Sequence, residues 1–280
     1  EADFESTLAA KYYISRFDRV SVREDDGVGI CRDVFGVEAS HVLDPVFLAD
    51  PASWDALIGN SGRDEDGCIV SYVLDSSPDA EKLAERARLE TGAGKVVNLV
   101  NAARNSTDVS PEDWLCHIKN CRFLVTDSFH GVCFAIIFNR PFVCLANTAR
   151  GYSRFRSLFK LFGLEKRCVT DCSRIGKELF EDIDYARVNR VIADERERSL
   201  KWLEQALLAP SPARPEERQR LLETAEMLNE KLERLERERK RDQKLLYESV
   251  YLPKIRRRYF RYKLKSVFSW GKKRKKYKRM

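Results

Sequence analysis

The sequence predicts an α/β protein built on a parallel, doubly wound sheet. Three observations carry this. Apolar strand-like runs alternate with helical segments from Gly67 onward. Cys68–Leu74 is apolar at every position but Ser71, the kind of run found in strands covered on both faces. Phe123–Thr126 runs through a polar turn straight into an apolar helical stretch.

The elements follow in order. A helical stretch reaches about Phe17, and a strand at Arg19–Val22 precedes a helix near Gly27–Phe35. A second strand, Ser40–Leu43, ends at Asp44-Pro45. Residues 51–67 hold Pro51, Gly59, Gly62, Gly67 and several Asp, and read as a linker. Beyond it come a strand at Cys68–Leu74, a helix at Asp79–Thr91 and a strand at Lys95–Val100. A short helix, opened by Pro111 and Asp113, runs through Lys119. Then follow a strand at Arg122–Thr126, a helix at Gly131–Phe138 and a strand at Phe142–Leu145. Helices at Arg154–Phe162 and Asp184–Leu207 complete the domain, taken as 68–208. A proline-rich break (209–216), a charged helix (217–250) and a basic, aromatic tail (251–280) end the chain.

Charge is unevenly placed. The net charge is +7, yet Lys254–Met280 holds fourteen Lys or Arg and no acid. Taking those fourteen from 51 leaves 37 basic against 44 acidic residues, a net of −7. The eight cysteines form no C-x-x-C pair and mostly sit in apolar runs, which suits reduced core thiols of a cytosolic protein. No secretory signal is visible, and no run approaches the ~18 apolar residues of a spanning helix.

The densest chemical signal is the stretch from Phe123 to Gly131. Asp127 or Ser128 can cap the helix that follows. Its N-terminus, at Ser128–Gly131, offers free amides and partial positive charge to an anion. His130, one of three histidines with His41 and His117, falls in the first turn, where it can donate to a phosphate or move a proton. A capping or packing histidine is the competing reading. Asp44 and Asp127 are read first as turn formers at strand ends.

At these residues the sequence becomes familiar. Asp113-Trp114-Leu115, TDSFHG at Thr126–Gly131, FAIIFNRPF at Phe134–Phe142 and RGYSRFRSLFKLFGLEKR at Arg150–Arg167 resemble the polysaccharide pyruvyl transferase family. SVRE at Ser21–Glu24 and LDPVFL at Leu43–Leu48 resemble it too, in the same order, so the likeness spans roughly residues 10–200. The resemblance implies a glycosyltransferase-B-like fold, two Rossmann-like domains facing across a cleft. Residues 1–50 would then be the end of a truncated first domain and 51–67 the interdomain linker. Most of an acceptor-binding domain would lie upstream of Glu1.

The resemblance also implies phosphoenolpyruvate as donor and a saccharide acceptor, lipid-linked by analogy, with no cofactor and no metal. His130 matches the family's catalytic histidine, and Arg23 an arginine facing the cleft. Some members carry Arg two residues before the histidine. Here that position is Ser128, which leaves one fewer anion clamp and points to Arg154 as the replacement, with Arg150 a weaker candidate. The expected site is therefore His130 and Arg23 as catalytic groups, with Ser128, Asp127, Gly131 and Arg154 binding substrate.

Two further features bear on partners. Leu221, Ala225, Leu228, Leu232 and Leu235 are spaced 4, 3, 4, 3, an a/d seam that fails at Arg239 and Asp242. It offers a homo-oligomer through 221–235, against the plainer reading of a solvated helix with one apolar stripe. In the tail, basic residues interleave with Tyr259, Phe260, Tyr262, Phe268, Trp270 and Tyr277. That composition suits an anionic membrane and also nucleic acid, with a disordered, solubilising tail as the plainer reading; the resemblance to enzymes acting on lipid-linked sugars favours the membrane, and hence a peripheral place on the inner face of the plasma membrane. The competing functions are a sugar-nucleotide enzyme on the same fold and a non-catalytic, membrane-tethered assembly protein.

Overall fold

The computed structural model describes residues 4–59, 67–75, 77–100, 109–147, 151–170, 175–210 and 216–246, with 248, 249 and 254. Apart from Lys254, the tail 251–280 lies outside the described residues, as does Arg150. Two compact units divide the chain. One is Tyr13–Ser211, and the other is Glu1–Tyr12 with Pro212–Met280. Among the described residues no helix is long and apolar enough to cross a membrane.

The chain opens with α1 (Phe4–Ile14). In the larger unit, β1 (Ser21–Val22) and β2 (Ser40–His41) form a small parallel pair, with Ser21 opposite Ser40 and Val22 opposite His41. Between them lies α2 (Asp25–Ile30), which continues as a π-helical turn over Cys31–Phe35 and closes at Gly36 with φ 68°.

Next comes α3 (Pro51–Ile58), inside the stretch whose composition reads as a linker. Two of the residues that suggest a linker, Pro51 and Gly59, are the helix's own punctuation. Asp50 caps it by accepting from Ala52 N–H, Pro51 occupies its first position, and Gly59 ends it at φ 54°. Its inner face is apolar: Ile58 is buried, and Trp54 stands edge-on to Phe134 at 4.9 Å.

The main sheet follows: β3 (Ile69–Tyr72), α4 (Pro78–Thr91), β4 (Val96–Asn98), α5 (Pro111–Asn120), β5 (Phe123–Thr126), α6 (Phe129–Ile137), β6 (Phe142–Leu145), α7 (Tyr152–Phe162), β7 (Cys168–Val169) and α8 (Tyr185–Leu208). The five strands are parallel in the order β4-β3-β5-β6-β7. Alternate residues face opposite layers. Val70, Leu124, Phe142 and Cys144 pack with α3, α5, α6, α7 and α8. Ile69, Phe123, Val125 and Val143 pack with α4 and the turn Lys177–Phe180. The sheet is thus covered on both faces, the doubly wound α/β arrangement expected of continuous apolar strands. The edge strand β7 has two residues, too short to leave a periodic signal in the sequence.

Hydrogen bonds to α7 and α8 hold residues 23–48 against the main sheet's helices. The Asp25 N–H donates to Ser157 Oγ on α7 at 3.0 Å, and Ser153 Oγ donates to Glu24 Oε2 at 2.6 Å. On α8, the buried Ser199 accepts from Leu43 N–H at 3.0 Å while donating to the Glu195 carbonyl. Leu43 is therefore pinned, and Asp44 follows it directly. The charged segment beyond the proline-rich break is α9 (Glu216–Leu246).

Candidate active site

The site starts where β5 ends. Thr126 is fully buried; its Oγ1 donates to the Tyr72 carbonyl at 2.6 Å and accepts from Ser128 N–H at 3.0 Å. These bonds turn the chain sharply into α6. Ser128, not Asp127, is the cap: its Oγ accepts from Gly131 N–H at 3.3 Å. The helix therefore begins two residues earlier than the apolar pattern suggests. Gly131 is dictated by space, since a Cβ there would lie 2.7 Å from Thr126 Oγ1. Among the described residues the amides of Phe129 and His130 make no hydrogen bond, so they remain available to an anion.

His130 stands on this first turn with its side chain 49% exposed, at the surface rather than in the core. Its Nε2 lies 3.8 Å from Asp44 Oδ2. Asp44 is only 4% exposed. One of its oxygens caps the turn Pro45–Phe47 by accepting from Val46 N–H at 3.2 Å, and the other accepts from Arg23 Nη1 at 2.5 Å. Arg23, just past β1, is a third exposed and lies over the Phe129 ring, 4.9 Å from its centroid. The Arg154 guanidinium approaches the same ring at 5.4 Å. Two cations on one aromatic platform, a buried carboxylate and an exposed imidazole thus meet at the start of α6. Their fields reach the helix interior. Burial pushes the Cys133 thiol well up, Asp44 adds to that, and Arg23 and Arg154 oppose it.

Of the residues singled out in the sequence, the fold brings His130, Arg23 and Arg154 together around Phe129. Ser128 and Gly131 build the turn beneath them. Asp127 is not part of this cluster. Its two oxygens accept from the amides of Leu74 and Asp75 at 2.7 and 2.8 Å, bracing the loop after β3. It also lines a separate cavity of about 320 Å³ with Asp75, Ser77, Asp79, Asn147 and Thr170. Sequence reading passed over Asp44, treated as a turn former. It is one, but its second oxygen ties Arg23 to the site. Its place in LDPVFL was the available signal. Phe129, the ring under both arginines, was likewise legible only as an apolar residue.

A sequence model of the polysaccharide pyruvyl transferase family matches residues 4–148, more than half of the chain. The chain belongs to the polysaccharide pyruvyl transferase family. The match takes in Arg23, Asp44, Phe129 and His130, and stops short of α7, which carries Arg154. Among solved structures, one described as the glycotransferase of kitacinnamycin is similar at 12% identity and a TM-score of 0.40. That likeness covers 68% of this chain and 55% of the other, so the chain spans about half the length of the structure it matches. A comparison with curated proteins finds no match.

Proposed function

We propose that this pyruvyl transferase family member moves pyruvate from phosphoenolpyruvate onto two hydroxyls of a saccharide, forming a ketal and releasing phosphate. The observation that carries the reading is the convergence of Arg23, Asp44, His130 and Arg154 at the open end of α6.

The donor is an anion carrying both phosphate and carboxylate, and charge decides which concavity suits it. Among the described residues, the cavity beside Asp127 presents Asp75, Asp79 and Asp127 and is lined by no Lys, Arg or His. The notch at α6 sets two guanidiniums, the free amides of the helix start and an imidazole against the single buried carboxylate of Asp44. At an effective dielectric near 20, one unit charge at about 4 Å contributes roughly 4 kcal/mol. The sign of the local charge therefore favours the notch. In the notch, Arg23 and the amides of Phe129 and His130 hold the phosphate, and Arg154 takes the carboxylate.

His130 supplies the proton. It protonates the donor's methylene carbon, so that carbon 2 gains cationic character and accepts the first sugar hydroxyl. The proton of that hydroxyl returns to His130, and the second hydroxyl closes the ketal as phosphate leaves with its proton. When His130 carries its proton, Asp44 is its counter-charge at 3.8 Å, and the same carboxylate holds Arg23. Asp44 thereby fixes the spacing of the two groups that act on the donor.

The test is phosphate release from phosphoenolpyruvate in the presence of a saccharide acceptor. His130→Ala is expected to lower turnover by about 10²–10⁴-fold, the usual contribution of a positioned acid–base group. The fold should be unaffected, because the side chain is half exposed. Wild-type turnover in that variant would remove His130 from the chemistry.

A further inference from the structure

From the exposed seam of α9 we infer that this helix pairs with α9 of a second copy of the chain, parallel and in register. In the heptad set by the seam, Leu221, Leu228 and Leu235 take d positions, and Ala225 and Leu232 take a positions. Leu228, Leu232 and Leu235 are 52, 40 and 52% exposed, a row of large apolar side chains facing solvent along one helix face.

Charge identifies the occupant as the same helix. In this frame Lys231 is a g residue and Glu236 the e residue of the next heptad. They are five apart, so they cannot meet on one helix, where only i,i+3 and i,i+4 neighbours touch. The described ion pairs of α9 join Arg234 to Glu238 and Arg237 to Glu233, leaving Lys231 and Glu236 out. Across a parallel pair, g and the following e of the partner are neighbours. Lys231 of each copy then faces Glu236 of the other, twice by symmetry, while every seam residue meets its own counterpart. An antiparallel pair sets g against g, so Lys231 never reaches Glu236, and it aligns fewer apolar layers. The seam is short, ending at Arg239 and Asp242, so the association is concentration-dependent rather than permanent.

Sedimentation of the full chain tests this. The expected result is a monomer–dimer equilibrium. Lys231→Glu sets two carboxylates against each other, and Glu236→Lys sets two ammonium groups against each other. Each variant alone weakens dimerisation by roughly tenfold, as two attractive contacts become repulsive. Mixing the two variants restores it, because the carboxylate introduced at position 231 of one copy then faces the ammonium introduced at position 236 of the other. Both positions are exposed, so neither change threatens the fold. A chain that stays monomeric across the accessible concentration range overturns the inference. So does a dimer insensitive to Glu236→Lys, since an antiparallel pair or another surface gives that result.

Discussion

Asp44 shows how much one residue can hold in place. It is buried, yet it answers three demands at once: the cap of Pro45–Phe47, the guanidinium of Arg23 and the approach of His130. A buried carboxylate persists only when its lone pairs are used, and the described partners use them. Asp44→Asn retains an acceptor for the cap and removes the charge that faces Arg23 and His130. The expected cost to folding is about 1–2 kcal/mol, kept low because Arg23 is partly solvated, while turnover falls further than stability. Urea denaturation and phosphate release on the same samples separate the two effects. If both quantities stay at wild-type values, Asp44 is a turn former and nothing more.

At the scale of elements, the step from β5 to α6 depends on close approach. Gly131→Ala drives a methyl into Thr126 Oγ1, the atom that bonds both Tyr72 and Ser128. The predicted loss is roughly 1–3 kcal/mol, read as a lower denaturation midpoint, with His130 displaced in consequence. This element was legible from sequence because an apolar strand, a polar turn and an apolar helix each leave a local signature. The small β1–β2 pair was legible for the same reason, although its strands are shorter than expected. What escaped was tertiary in origin. Nothing local in Asp50-Pro51 separates a linker from a helix cap; the burial of Ile58 against the core decides it. Likewise no spacing rule joins Arg23, Asp44 and His130, which lie just past β1, after β2 and on α6 and meet through tertiary contacts, those of Ser157 and Ser199 among them.

The whole molecule carries a pH signature in its thiols. Burial pushes Cys121 from 9.0 up to about 12, and it also raises Cys133 and Cys144. A group whose folded pKa is raised gives stability that is full below the unfolded value and is lost as pH climbs through the folded one. Stability should therefore decline from about pH 9 toward pH 12, and Cys121→Ala should reduce the slope in denaturant titrations across that window. An unchanged slope would mean that this thiol ionises as freely in the folded chain as in the unfolded one. The central claim, however, is where the donor anion sits, and nuclear magnetic resonance measures that directly. Phosphoenolpyruvate titrated into ¹⁵N-labelled protein should move the backbone amides of Phe129 and His130 and the ring nitrogens of His130. The amides of Thr170 and Asn147, at the acidic cavity, should stay still. Shifts confined to that cavity, with the start of α6 silent, would contradict the account.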